Sequence, residues 1–219
     1  MMRMLGPWIF RFDTRIYLQE TACPSDCDRA VAAIIGKNPG SAMPTEADCL
    51  ARLNLDDPNH GRLPRTVRRC FLSAYERAGI SPRAGDFIQS WNLFYLTDPD
   101  LKAAKLSIEE MERYHTLPTC SSEQTIPPIV WFAWGRPEKE KLAKYATRFL
   151  QHGIQNPFYF CMSSKRIVAN VPALHDGAKH TQGLPVEPVV SHLADILKMR
   201  QFDMSHSQAS TPDHACTIR

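Results

Sequence analysis

Residues 29–40 read RAVAAIIGKNPG, and this stretch decides the fold. Its first part is rich in alanine and β-branched residues and has no polar break, which is typical of a buried strand. The Gly-Lys-Asn-Pro-Gly that follows indicates a turn. Ligands of open α/β sheets bind at the carboxyl ends of strands, so Asn38 is a candidate binding residue. Asn, Pro and Gly are also ordinary turn residues, so local chemistry leaves a plain strand-to-helix turn as the alternative.

Strand and helix patterns alternate along the rest of the chain. Apolar runs predict a strand or hairpin at 8–18 and strands at 86–96, 128–135 and 156–162. Helical patterns predict helices at 64–78, 98–116, 137–151 and 187–202, with a start signal at 107–110 and a short helix around 46–53. This alternation predicts the α/β class, with three α/β/α layers around a central, mostly parallel sheet.

The chain is expected to form a single domain over residues 1–202, followed by a disordered polar tail at 203–219. The two longer irregular stretches, 41–63 and 170–185, are candidate functional loops because they exceed plain connections in length.

Composition excludes several classes of protein. Hydrophobic residues make up 43% and charged residues 22% of the 219 positions, as in globular proteins. No apolar run approaches the roughly 20 residues of a membrane span. The N-terminus lacks the apolar core and small-residue cleavage site of a signal peptide. We therefore expect a cytoplasmic protein that does not bind membranes and acts as a monomer.

The seven cysteines do not form the pattern of a disulfide framework, because their number is odd and they are scattered along the chain. Cys23 and Cys27 are the only close pair. A four-ligand zinc site needs a second such pair, although single histidines could complete an irregular site. We expect no metal and no other cofactor.

Local charge is more informative than the formal net charge of +3. A short basic segment at the start of the predicted helix 64–78 contains Arg62, Arg65, Arg68 and Arg69. These side chains are candidates for binding nucleic-acid phosphates. A solvated helix face, with Asp56 and Asp57 as ion-pair partners, is the alternative.

The segment 34–40 resembles the first motif of the uracil-DNA glycosylase superfamily, in the Gly-x-Asn-Pro-Gly form of its mismatch-specific thymine/uracil branch. The chain is also similar to a bacterial family with an Asn-Pro-Ser-Thr-Ala-like stretch, followed by Asp-Asp-Pro and Arg-Arg-Cys. Here those pieces are residues 37–42, 56–58 and 68–70. The resemblance extends over about residues 8–200 as short motifs, and it implies a glycosylase-like fold that needs no cofactor.

The resemblance assigns roles to particular residues. Asn38 would position a water and His180 would donate a hydrogen bond to the departing base, whereas Asn92 would read a pyrimidine edge. In the family a His-Pro-Ser motif supplies the histidine. Thr181 and Gln182 follow His180 instead, so His175 is the alternative. The residues expected around the base are Gly36, Lys37, Pro39, Gly40, Ser41, Asn92 and His175, and Lys179 joins the four arginines as a DNA-binding candidate.

The size of the residues after Asn38 and Pro39 affects which base the protein would accept. Uracil-specific relatives carry an aromatic side chain where this chain has Gly40 and Ser41. Small residues leave room for a 5-substituted or modified pyrimidine, including the hypermodified cytosines of some phages, which would make the protein an anti-phage defence enzyme. The partner is then DNA with a flipped-out base, and the candidates for stacking on that base are His60, Phe71 and Phe94.

Two other functions fit the same sequence. A non-catalytic nucleic-acid or nucleotide-binding protein could keep the crevice without the chemistry. A different nucleotide-processing enzyme could use the same doubly wound fold, because folds of this kind carry many activities.

Overall fold

The structure of the protein is a computed structural model that describes residues 2–21, 24–39, 62–98, 100–139, 141–150 and 153–209. Some sequence predictions fall outside these ranges: the short helix at 46–53, Gly40, Ser41, Asp56, Asp57 and His60.

The described residues form eight strands and four α-helices. The strands are β1 (Met2–Leu5), β2 (Trp8–Arg11), β3 (Thr14–Tyr17), β4 (Arg29–Gly36), β5 (Asp86–Asn92), β6 (Val130–Phe132), β7 (Pro157–Cys161) and β8 (Arg166–Val168). The helices are α1 (Arg62–Ala78), α2 (Leu101–Met111), α3 (Ala143–Ala146) and α4 (Val186–Ala209). Two 3₁₀ turns, Ser121–Gln124 and Thr147–Phe149, lie in the connections.

Six strands form the central sheet in the order β3-β5-β4-β6-β7-β8. The four inner strands are parallel, whereas β3 and β8 pair antiparallel at the two edges. Strands β1 and β2 form a separate antiparallel ribbon. The α/β class with a mostly parallel sheet is therefore confirmed.

Both faces of the sheet are covered, because the inner strands carry apolar side chains on both sides. Ala32 and Ile34 of β4 belong to a core that also contains residues of α1 and α4. Ala33 and Ile35 belong to a second core with residues of α2, α3 and the 3₁₀ turn that follows α3. Alternation along a strand directs neighbouring side chains to opposite faces, so one sheet separates two helical layers.

Helix α2 differs from its prediction at both ends. The Asp100 carboxylate caps the helix by accepting the Lys102 N–H at 2.8 Å, so the helix begins at Leu101. The predicted start signal at 107–110 was wrong, since those residues lie inside the helix. The helix ends at Met111 rather than at residue 116.

The helix predicted at 137–151 was too long. Helix α3 covers Ala143–Ala146 and is followed only by the 3₁₀ turn Thr147–Phe149. Lys141 has a φ of +58°, a left-handed backbone conformation that interrupts any helix beginning earlier. Strand β5 also ends early, at Asn92 rather than at residue 96.

Helix α4 continues to Ala209, so its end lies beyond the predicted boundary at residue 202. Strands β1 and β8, which were not predicted, have only four and three residues, too few to give a periodic signal. Within the described ranges, none of the helices combines the length and apolar character that a membrane span requires.

Arg68 connects α1 to the edge of the sheet. Its guanidinium donates to the carbonyls of Tyr17 at 3.0 Å and Leu18 at 3.2 Å. The sequence predicted Arg68 as a DNA contact, but these bonds occupy it in joining α1 to β3. Arg69, the next residue, is exposed.

His192 of α4 contacts the core beneath that helix. Its ring makes an edge contact with Phe158 at 5.0 Å between centroids. Its Nε2 is buried and has no hydrogen-bond partner in the structure as described. Burial lowers the pKa of His192, and the nearby Asp195 carboxylate opposes that shift only in part.

We expect Arg68→Met to lower the free energy of unfolding by about 1–3 kcal/mol, because two carbonyl groups lose their charged donor. Arg69→Met is the matched control and should change stability by less than about 0.5 kcal/mol. Urea denaturation of both variants measures the difference. Equal stability of the two would contradict the role of Arg68 in joining α1 to β3.

Stability should fall as the pH drops below about 6.5, because the unfolded chain then protonates His192 while the folded chain resists the proton. The contribution is complete above that pH, where both states hold a neutral ring. His192→Leu should weaken this part of the decrease. Urea midpoints measured between pH 8 and pH 5 test it, and parallel curves for the two proteins would refute it.

Candidate functional site

The order of the parallel strands defines a switch point in the sheet. Along the chain these strands come as β4, β5, β6 and β7, but in the sheet β5 lies on one side of β4 and β6 on the other. The strand order therefore reverses between β4 and β6. Helix α1 follows β4 on one face, whereas α3 follows β6 on the opposite face. Doubly wound sheets bind ligands at the carboxyl end of such a switch point.

Asn38 lies at this switch point, two residues after the end of β4. It is half-buried, and its Nδ2 donates to the carbonyl of Asp98 at 2.9 Å. A carbonyl oxygen only accepts, so this bond fixes which way the amide is oriented. Within the described residues the Oδ1 atom has no donor, so it is left as an acceptor for another group.

The loop after β4 is held from the other side by Arg11 of β2. The Arg11 Nη2 donates to the Pro39 carbonyl, and the Arg11 backbone N–H donates to the Tyr95 carbonyl at 2.9 Å. Burial lowers the pKa of Arg11 to about 10, so the guanidinium remains a cation at neutral pH. Asn38 and Pro39 are therefore anchored by two separate contacts.

Asn92 lies beside this loop, at the end of β5. It pairs in register with Gly36 and is only 4% exposed. A Cβ atom on Gly36 would be 3.1 Å from the Asn92 Oδ1, so glycine leaves room for the amide. The N–H groups of Leu93 and Phe94 donate to the carbonyls of Gly36 at 3.0 Å and Lys37 at 3.2 Å. The structure thus brings Gly36, Lys37, Asn38, Pro39 and Asn92 together.

A late segment of the chain reaches the same edge of the sheet. Ala178 bridges Gly135, beyond β6, and Cys161, at the end of β7. Gly135 and Ala178 exchange two backbone hydrogen bonds at 2.7 and 2.9 Å, and the Lys179 N–H donates to Phe160 at 2.9 Å. This segment carries Lys179 and His180, so both lie on the carboxyl side of β6 and β7.

The two candidate histidines differ in their surroundings. His180 is half-buried, and its Nδ1 accepts the Gln182 N–H at 3.3 Å. When Nδ1 accepts, the proton of the neutral ring is on Nε2, which makes Nε2 a donor. The side chain of His175 is 78% exposed, and its Nε2 lies 3.8 Å from Oδ1 of Asp176. His180 is thus the more buried of the two, and its Nε2 carries the donor.

Sequence reasoning missed Arg136, which lies in the segment that follows β6 on the carboxyl side of the sheet. Its side chain is half-buried, and within the described residues its guanidinium makes no hydrogen bond or ion pair. A Cβ atom on Gly177 would be 3.1 Å from the Arg136 Nε, so the late segment packs closely on it. The rule that selected Asn38, a polar residue just past a buried strand, would also have found Arg136.

Cationic and anionic side chains both lie at this edge of the sheet. The Asp98 carboxylate accepts the Asp100 N–H at 2.7 Å. The Asp176 carboxylate accepts the Tyr159 hydroxyl at 2.8 Å and the Ala173 N–H at 2.9 Å. These donors are neutral, so they leave both carboxylates charged. Arg136 and Lys179 carry the opposite charge and suit an anionic ligand at the same edge.

The other predicted residues take no part in these contacts. Arg62 and Arg69 are exposed on α1, and Arg65 is half-buried there. Phe71 and Phe94, the predicted stacking residues, are 0% and 3% exposed and belong to the two cores. Among the described residues, no group of three or more His, Cys, Asp and Glu side chains is arranged to hold a metal ion.

No protein-family model, curated protein or solved structure matches this chain.

Proposed function

We propose that the protein is a DNA glycosylase that hydrolyses the N-glycosidic bond of a 5-substituted or otherwise modified pyrimidine. One observation carries the proposal: the Asn38 amide, at the switch point of the sheet, has its nitrogen bound to the Asp98 carbonyl and its oxygen left as an acceptor. The resemblance of residues 34–40 to the glycosylase motif gives this acceptor its role.

The chemistry needs few groups. The C1′–N bond breaks, the base leaves as an anion with the bonding electrons, and water adds to a sugar of oxocarbenium character. The proton that the water loses passes to solvent, from which the departed base takes up a proton. Asn38 Oδ1 accepts a hydrogen bond from that water, and the Nε2–H of His180 donates to the base as negative charge collects there. An amide does not take up a proton, so the reaction is slower than with a carboxylate at this position.

Cationic side chains at the carboxyl edge of the sheet and on α1 would bind the DNA backbone. Arg136 and Lys179 belong to segments that reach the carboxyl edge of the sheet, and Arg62 and Arg69 are exposed on α1. Each can neutralise a phosphate of the backbone on either side of the extruded base. Arg68 is excluded from this set because the carbonyls of β3 and its continuation hold its guanidinium.

The nature of the base rests on Gly40 and Ser41, which lie outside the described residues. Their small size favours a pyrimidine with a bulky 5-position, and a phage cytosine carrying such a group would give the enzyme a defensive role.

A non-catalytic nucleotide- or nucleic-acid-binding protein is the second candidate. The half-buried Arg136 without an ion-pair partner in the described structure favours it, since an anion alone would satisfy that side chain. A substitution at Asn38 distinguishes the two proposed functions, because the Asn38 Oδ1 acceptor is needed for hydrolysis but contributes much less to phosphate binding.

We expect Asn38→Ala to lower base release by at least about 100-fold, because the attacking water loses its position. The substrates are oligonucleotides with uracil, mismatched thymine or glucosylated hydroxymethylcytosine, and mass spectrometry detects the released base. Asn156→Ala is the matched control: Asn156 also donates to a backbone carbonyl, that of Pro128 at 2.9 Å, but at the amino edge of the sheet. Its activity should remain at the wild-type level.

DNA binding without base release by the wild-type protein on every substrate would favour the second candidate. Equal losses in Asn38→Ala and Asn156→Ala would mean that unfolding, rather than catalysis, explains the effect.

Arg136→Met should weaken DNA binding and reduce the slope of log Kd against log salt by about 1, as expected for one lost phosphate contact. Arg83→Met is the control, because Arg83 is exposed just before β5, at the amino edge. Fluorescence anisotropy at several salt concentrations measures both slopes. An unchanged slope in Arg136→Met would remove Arg136 from the DNA-binding surface.

A further inference from the structure

Arg148 holds the backbone at the carboxyl end of β5. It lies in the 3₁₀ turn Thr147–Phe149, and its guanidinium donates to the Asn92 carbonyl at 2.6 Å and to the Leu93 carbonyl at 2.8 Å. A third bond, at 2.8 Å, goes to the Tyr145 carbonyl. One side chain therefore binds both peptide groups that follow the candidate base-reading residue.

The guanidinium is itself fixed by a largely buried carboxylate. Glu123 accepts from the Arg148 Nε at 2.8 Å and from Nη2 at 3.2 Å. The side chains of Arg148 and Glu123 are 25% and 12% exposed. Tyr95 also donates its hydroxyl to Glu123, and burial together with that carboxylate raises the Tyr95 pKa, which keeps the hydroxyl protonated. The network leaves Arg148 little freedom to move.

These contacts continue to the loop that carries Asn38. The Leu93 N–H donates to the Gly36 carbonyl, and the Phe94 N–H donates to the Lys37 carbonyl. A shift of the peptides held by Arg148 would therefore move Asn92 and disturb the backbone just before Asn38. The planar guanidinium suits this task, because it directs several donors at fixed angles, whereas a lysine ammonium is a single point.

We propose that Arg148 is a positioning residue for base recognition: through the Asn92 and Leu93 carbonyls it sets the orientation of the Asn92 amide. The inference rests on the glycosylase activity proposed above. Arg148 does not contact the substrate, and it acts by limiting the rotation of the peptides next to the amide that reads the base.

A second arginine provides a matched control on the same pair of strands. Arg29 of β4 donates to the buried Asp86 of β5 through Nε at 2.9 Å and Nη2 at 3.0 Å. This arginine–carboxylate contact is similar in chemistry but lies at the amino end of β5, opposite to the crevice. Arg148→Lys and Arg29→Lys thus each replace a carboxylate-bound guanidinium by an ammonium group, at opposite ends of one strand.

The test compares selectivity between bases in the full-length variants. We expect Arg148→Lys to lower the ratio of kcat/KM for the preferred modified pyrimidine to that for unmodified cytosine or thymine by about 10- to 100-fold, because a misplaced amide loses discrimination. The change should come mainly from a raised KM for the preferred base. Arg29→Lys should keep the wild-type ratio even if its stability falls.

Backbone hydrogen exchange adds a measurement that does not depend on catalysis. The Leu93 and Phe94 amides should exchange faster in Arg148→Lys than in Arg29→Lys after both are corrected for global stability. Unchanged exchange at these two amides, or equal loss of selectivity in both variants, would overturn the positioning role.

A different result would contradict the proposed glycosylase function itself. If the wild-type protein releases no base from any of the substrates, the glycosylase proposal and the recognition role of Arg148 are both overturned. If the wild type is active and selective but Arg148→Lys keeps its selectivity, only the positioning role is overturned.

Discussion

The parallel pairing of β4 with β5, which ends with Gly36 opposite Asn92, is the constraint on which the candidate site depends. It brings an amide from the second strand against the backbone of the first, and Gly36 is the residue that makes room for it. Because β6 pairs on the other side of β4, the loop with Asn38 emerges where the strand order reverses. The crevice is thus a product of topology, and the side chains only line it.

Backbone carbonyls serve as the anchors at this edge. Asn38 binds the Asp98 carbonyl, Arg11 binds that of Pro39, and Arg148 binds those of Asn92 and Leu93. Peptide groups beyond the ends of strands lose their ladder partners and need other donors when they are buried. Arginine supplies several donors from one side chain. Its cost is the desolvation of a cation, which the lowered pKa of Arg11 reflects.

The sequence predicted those elements whose signal is local. Strand β4 and helix α1 have long, regular apolar patterns, and Asn38 follows directly from the turn after β4. Helix α2 was misplaced because the capping pattern at 107–110 is found in its interior, while the true cap is Asp100. Strand β8 and the short α3 depend on packing rather than on periodicity. The roles of Arg11 and Arg148 could not be predicted, because their carbonyl partners are 28 and about 55 residues away along the chain.

Arg68 and Arg136 explain why a basic residue cannot be assigned from its neighbours alone. Arg68 lies in the most basic segment of the chain, yet carbonyls of the first 20 residues use its donors. Arg136 stands alone after an apolar strand, and it is half-buried, with no ion-pair partner in the described structure. A half-buried guanidinium without a partner loses part of its hydration, and a bound phosphate would supply hydrogen-bond acceptors in its place. Burial and pairing, rather than the local density of charge, therefore distinguish an arginine used by the fold from one whose donors are unused in the described structure.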